Sequence, residues 1–123
     1  MSPLSKHKVL FVDDEKPWCD RVSASLAKAG FDVLTAADGS EAMRQAEDGS
    51  LGLIIVDEDL AGESGIMLTS FLRRNHPGVP TMLYTAIRQA AHQTLDLMRQ
   101  GVDRCLQKGS MDELIANVVY HAR

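Results

Sequence analysis

The chain has no apolar run approaching the ~18 residues that cross a bilayer, no basic stripe, no paired cysteine motif and no internal repeat. Each lack closes off a class of function. Without a long apolar segment, including in the N-terminal MSPLSKHK, neither membrane insertion nor export has support. Thirteen Lys and Arg stand against 17 Asp and Glu, for a formal charge of -4, and the cations are scattered. A row of nucleic-acid phosphates needs a basic face, so no direct nucleic-acid binding is expected. Cys19 and Cys105 lie far apart without C-x-x-C spacing, which suggests neither a disulfide framework nor a zinc site, and a reducing cytoplasm is the simplest compartment. His7, His76, His92 and His121 show no metal-ligand spacing, and no histidine catalysis is expected.

What is present is strand and helix in alternation. With 123 residues and 45% hydrophobic content, the chain is long enough to bury one core without staples. A single domain is expected over 1–123, with its core at about 7–121 and no effector domain. Residues 8–13 read as a buried strand; Pro17 then opens a helix whose stripe is Val22, Leu26 and Ala29, closed by Gly30. A second strand, 32–36, precedes a helix over about 39–47. The third strand, 53–57, is apolar throughout, the mark of a strand covered on both faces, so LIIV belongs in the middle of a sheet. After a loop at 58–65 comes a helix with Ile66, Leu68, Phe71 and Leu72 inward, ending before Pro77. The fourth strand is 79–84, followed by a helix over about 88–100 that ends at Gly101. A fifth strand, 104–107, leads to a last helix opened by a Ser110–Glu113 capping box and running to about His121. Met67, Met82 and Met98 read as core filling, Cys19 as a small helix hydrophobe, and Trp18 as a packing residue near the rim of any pocket beside Asp14.

Alternating units with short loops imply an α/β fold: five parallel strands, right-handed crossovers and helices on both faces. Four runs end in polar residues: VLFV in Asp13 and Asp14, LIIV in Asp57, TMLY in Thr85 and CLQ in Lys108. For strand order 2-1-3-4-5 the switch point lies between the first and third strands, where Asp13, Asp14 and Asp57 would meet. Crowded carboxylates resist ionising together unless a divalent cation sits between them or one serves as a nucleophile. Singly, each residue has an ordinary reading: a solvated turn, a satisfied hydroxyl, a surface lysine. Four strand ends that all carry suitable residues point instead to Mg²⁺ and phosphoryl chemistry.

At these residues the chain, over roughly 7–121, resembles a response-regulator receiver domain of two-component signalling. The resemblance implies a flavodoxin-like, doubly wound (βα)₅ fold. It implies Asp57 as phospho-acceptor and Asp13 and Asp14 as the acidic pair that holds Mg²⁺. Thr85, followed by the small Ala86, would bind the phosphoryl group, and Lys108 would be the family's lysine. Gly65, eight residues after Asp57, also matches. Mg²⁺ prefers six oxygens and keeps several waters, so Asp14 and Asp57 suit direct ligation, with the Asp59 backbone carbonyl as a third oxygen and Asp13 acting through water or switching in. The implied partners are a histidine kinase or histidine phosphotransfer protein upstream, and a downstream protein or an absent effector domain. The chain would be a monomer or weak dimer with no turnover of an external substrate.

Two rivals are weaker. The run Asp57-Glu58-Asp59-Leu60 resembles the D-x-D signature of haloacid-dehalogenase-like phosphatases, but there the nucleophile precedes the acidic pair, and position +4 here is Ala61, not threonine. A flavodoxin-like cofactor binder needs a phosphate loop after its first strand, where DDEK would repel phosphate. A receiver-like adaptor that takes no phosphate is a further alternative. Three departures from the receiver pattern bear on the switch. Ala61 stands where proline is usual and should leave the 58–65 loop less stiff. Gly109 stands where proline usually follows the lysine. Cys105 replaces an aromatic, and cannot sweep the volume of a ring, so the threonine–aromatic relay through Thr85 and Cys105 is expected to be absent or rebuilt.

Overall fold

A computed structural model describes residues 8–47, 49–60, 62–85, 96, 98–99, 102–107, 109 and 111–121. Its strands are β1 (Lys8–Val12), β2 (Asp32–Ala36), β3 (Leu53–Asp57), β4 (Asp59–Leu60), β5 (Glu63–Ser64), β6 (Thr81–Thr85) and β7 (Arg104–Gln107). Its helices are α1 (Lys16–Lys28), α2 (Gly39–Ala46), α3 (Gly65–Asn75) and α4 (Met111–His121). Five strands form one parallel sheet in the order β2-β1-β3-β6-β7, the predicted 2-1-3-4-5 order of the five long strands. Asp96, Met98 and Arg99 are helical; the rest of the predicted 88–100 helix, Gly101 and Ser110 of the predicted capping box lie outside the described residues. No helix among the described residues is long and apolar enough to cross a membrane.

The period-2 alternation of a strand sorts the core into two layers. Val9 and Phe11 of β1 point to one face with Ile55, Met82 and Tyr84, where Val22 and Leu26 of α1 and Leu114 and Val118 of α4 cover them. Leu10 and Val12 point to the other with Ile54 and Val56, under Ala42 and Ala46 of α2 and Leu68 and Leu72 of α3. Every residue of β3 is buried, as a central strand requires. Each large side chain buried this way contributes roughly 1.5–3 kcal/mol of transfer free energy.

Helix ends are set by local chemistry. Gly30 takes φ 97°, a region open to glycine, and lets its N–H donate to Ala27 O and that of Phe31 to Leu26 O, both at 3.0 Å. That C-cap turns Phe31 into the core. At the start of α2, Asp38 accepts from Glu41 N at 2.8 Å while Glu41 accepts from Ala37 N at 2.9 Å, a reciprocal cap that the sequence reading overlooked.

Several sequence expectations need correction: Ala29 is exposed, leaving Cys19, Val22 and Leu26 as the buried residues of α1, and the fourth long strand runs over Thr81–Thr85, not 79–84. Phe71 is 42% exposed and Met67 73%, while Thr69 is buried. The inward stripe of α3 is Gly65, Leu68, Thr69 and Leu72, the i, i+3, i+4, i+7 series, which turns Phe71 and Met67 outward. Met98 is 44% exposed as well, and of the three methionines assigned to the core only Met82 is there. The 58–65 segment is not all loop, because β4 and β5 pair antiparallel, Asp59 opposite Ser64 and Leu60 opposite Glu63. His121 is half-buried, with its pKa pushed down first by burial, then by Arg104, against an opposing pull from Asp103.

Asp103 clamps the far end of the sheet. Its carboxylate accepts from Arg73 Nη1 at 2.6 Å and from the backbone N–H of Thr81 at 2.7 Å, tying α3, β6 and the start of β7 together. The ion pair is about a third exposed, so the bond to the buried Thr81 matters more. Asp103→Ala should lower stability by roughly 1–3 kcal/mol because a buried N–H loses its partner, and Arg73→Ala by under about 1 kcal/mol. Urea denaturation of both variants checks this; equal losses would show that the ion pair carries the clamp.

Candidate functional site

The carboxyl ends of β1 and β3 bring the predicted acidic residues together. Asp13 follows β1 and is held there by its N–H, which donates to Ala36 O at 3.0 Å at the end of β2. Its carboxylate is buried and accepts from Glu15 N at 2.9 Å, and its carbonyl accepts from the Cys19 thiol at 3.1 Å. Cys19 is thus a buried residue of α1, as expected, with a weak bond to the site. Asp14, the next residue, is exposed. Asp57, the last residue of β3, is 3% exposed, and its Oδ1 accepts from Asp59 N at 3.2 Å. One oxygen from each of Asp13, Asp14 and Asp57 lies within 4.8 Å of the others.

Two carboxylates at such a separation near a protein surface repel by a few kcal/mol, which a divalent cation would reverse. The donors are all hard oxygens, the set that suits Mg²⁺ or Ca²⁺ rather than a softer metal. The residues present therefore fit the metal that the sequence implies. A cavity of about 180 Å³ extends from Asp13 and Asp14 along the end of β2 to Glu41.

On the other side of β3, Thr85 closes β6, also 3% exposed, and its hydroxyl donates to Oε1 of Glu58 at 2.8 Å. The preceding residue, Tyr84, is fully buried, and the Trp18 ring stacks on it at 6.1 Å and 11°, with Arg21 4.9 Å above the indole. Trp18 is thus a packing residue one position from Thr85. Cys105 on β7 pairs with Leu83 and is half-buried; its thiol pKa is pushed up first by burial and then by the charge of Glu58. Lys108, Ala61, Ala86 and Ile87 lie outside the described residues. Gly109 has φ 145°, which a proline, fixed near -65°, could not adopt.

Gly65 is where it is for a steric reason. A Cβ there would overlap the Asp57 carbonyl oxygen and come 2.7 Å from Glu58 Cα, so α3 starts directly against the backbone that carries the acceptor position. Its N–H donates to Glu58 O at 3.0 Å. Glu63 of β5 accepts from Gly39 N at 3.2 Å with either carboxylate oxygen, docking the β4–β5 ribbon on the first turn of α2. Sequence reasoning assigned no role to Glu58 or Glu63. Their partners are 27 and 24 residues away, beyond any local pattern.

Comparison with known proteins agrees with this geometry. A family model described as the response regulator receiver domain matches residues 9–119. The chain is 33% identical over 117 residues to the uncharacterized transcriptional regulatory protein YrkP of Bacillus subtilis, covering 95% of this chain and 50% of that protein. It is 32% identical over 111 residues to the alkaline phosphatase synthesis transcriptional regulatory protein PhoP of the same organism, covering 90% and 46%. The chain spans about half the length of these curated relatives. Among solved structures, the receiver domain of Francisella response regulator 1452 superposes with a TM-score of 0.83 at 28% identity, covering 94% of this chain and 95% of that one. The Vibrio cholerae chemotaxis protein CheY4 superposes with a TM-score of 0.83 at 27% identity, covering 92% and 96%.

The raised thiol pKa of Cys105 leaves less thiolate at neutral pH than an ordinary cysteine has. Iodoacetamide at pH 8 should therefore label Cys105 several-fold more slowly in the folded protein than in the urea-unfolded chain, as read by peptide mapping. Equal rates would contradict the environment described for β7. Gly65→Ala should cost roughly 1–3 kcal/mol in thermal or urea unfolding, because backbone rather than a mobile side chain must yield.

Proposed function

Because this chain belongs to the response-regulator receiver domains of two-component signalling, we propose that it takes a phosphoryl group from a phosphohistidine donor onto Asp57. The observation that carries this reading is the convergence of Asp13, Asp14 and Asp57 oxygens within 4.8 Å at the carboxyl edge of the sheet, where the neighbouring strand β6 ends in the buried Thr85. Phosphorylation of an aspartate is the general mechanism of the family.

The transfer breaks the donor's N–P bond and forms an O–P bond on the Asp57 carboxylate, and the imidazole nitrogen leaves with the electron pair. The Asp59 N–H bond to Oδ1 fixes the orientation of the attacking carboxylate. Asp14 and Asp57 would hold Mg²⁺ directly, with the Asp59 carbonyl, and Asp13 through water; bound there, the ion offsets charge on the transferred oxygens. Thr85 would donate its hydroxyl to a phosphoryl oxygen. Lys108, one residue beyond β7, is assigned to the same charge by its sequence position. Catalysis is positioning and charge, as phosphoryl transfer generally is.

Receiver domains are signalling domains, and this one would turn over no external substrate. Its upstream partner would be a histidine kinase or histidine phosphotransfer protein. The two Bacillus relatives are named as transcriptional regulators, and output from this receiver would likewise pass by protein contact to an effector.

Acetyl phosphate with Mg²⁺ should add one phosphoryl group, about 80 Da by intact mass, to the wild type and none to Asp57→Asn. Asp13→Asn and Asp14→Asn should raise the Mg²⁺ concentration needed. No label on the wild type would favour a silent adaptor, and turnover of a phosphate ester would favour a phosphatase. The label should persist for minutes or longer, since Asp59 and Ile87, two residues beyond Asp57 and Thr85, are poorly suited to orient an attacking water. Loss within seconds would contradict that.

A further inference from the structure

We propose that Glu58 is a positioning residue that holds the Thr85 hydroxyl proton until Asp57 is phosphorylated, so that the Glu58–Thr85 contact is the part of the site that changes with its charge; this rests on the reading of Asp57 as acceptor. A threonine hydroxyl has one proton to give, and a carboxylate only accepts. In the structure that proton goes to Glu58 Oε1 at 2.8 Å. Thr85 can bind a phosphoryl oxygen as a donor only by giving up this bond.

The backbone around the contact is held. Glu58 N donates to Tyr84 O and Glu58 O accepts from Gly65 N, both at 3.0 Å, so the residue is pinned to β6 on one side and α3 on the other. Thr85 is a strand residue, 3% exposed, and follows Tyr84, which Trp18 holds in place by stacking. What can change is the rotamer of the half-buried Glu58 side chain and the direction of the hydroxyl. A phosphoryl group on the adjacent residue brings a charge of about -1.5 to -2 and three acceptor oxygens. It repels the Glu58 carboxylate and competes for the Thr85 proton, and both effects act in the same direction. Phosphorylation thus exchanges one acceptor for another on Thr85 and frees the Glu58 carboxylate, while the Glu58 backbone stays bonded to β6. The half-buried Cys105, whose thiol feels the charge of Glu58, places β7 within electrostatic reach of that release.

The test uses the whole chain with Mg²⁺ and ¹³C-methyl-labelled threonine. In Glu58→Ala without phosphate, the Thr85 methyl resonance should move more than halfway to its position in beryllofluoride-saturated wild type. Labelling of Asp57 by acetyl phosphate should speed up about fivefold. Glu58→Gln keeps a carbonyl acceptor at the same reach and should leave the Thr85 resonance near its wild-type position. In a Thr85→Ala background the gain from Glu58→Ala should vanish, which a general charge effect would not do. An unmoved Thr85 resonance in Glu58→Ala, or a fivefold gain that persists in the Thr85→Ala background, overturns the proposal while wild type labels normally. A wild type that takes no label overturns the acceptor reading and this proposal with it.

Discussion

Three carboxylates from two strand ends crowd one edge of the sheet, their oxygens within 4.8 Å, and the surrounding structure resists the repulsion that results. Nothing in an isolated peptide would hold Asp13 beside Asp57. The parallel pairing of β1 with β3, from Val9 opposite Leu53 to Val12 opposite Val56, does so by backbone hydrogen bonds and by a core on each face. The Ala36 bond to Asp13 and the close start of α3 at Gly65 then fix where each acidic residue leaves its strand. Order at the site is thus inherited from the middle of the sheet.

The helices serve the same end from a distance. On one face α1 packs Trp18 on Tyr84, the residue before Thr85 in β6. On the other, α2 receives Glu63 at its first turn and so anchors the ribbon that follows the acceptor position. At the opposite edge Asp103 clamps β6 to α3 and keeps the strand that carries Thr85 in register. Loops that hold reactive groups are commonly fixed in this way by a rigid scaffold beneath them.

The departures from the family pattern take on a clearer physical meaning. Ala61 stands where proline is usual, and on either side of that position Glu58 and Glu63 provide bonds to β6, α3 and α2. Gly109 sits at a φ that excludes proline. Cys105 leaves β7 without an aromatic ring, and a carboxylate on β3's following residue, rather than a ring on β7, is what touches Thr85.

Much of this was legible in the residue order, and the reason is periodicity. The all-apolar LIIV run marked the central strand, the polar residues Asp13, Asp57 and Thr85 at the ends of three runs marked the edge, and strand-helix alternation implied parallel pairing; each signal is local and repeats within a few residues. Phe71 and Met67 were harder, because the stripe of α3 depends on where the helix begins, and Gly65 sets that against the Asp57 backbone. Glu58, Glu63 and Asp103 were illegible for a different reason. A charged residue beside a strand end looks the same whether it meets solvent or a hydroxyl 27 residues away. The sequence by itself determined the fold class and the chemical types at the site, since both follow from patterns within single elements. Only the tertiary structure decided which acceptor holds the Thr85 proton, because that depends on two chain segments meeting across the sheet.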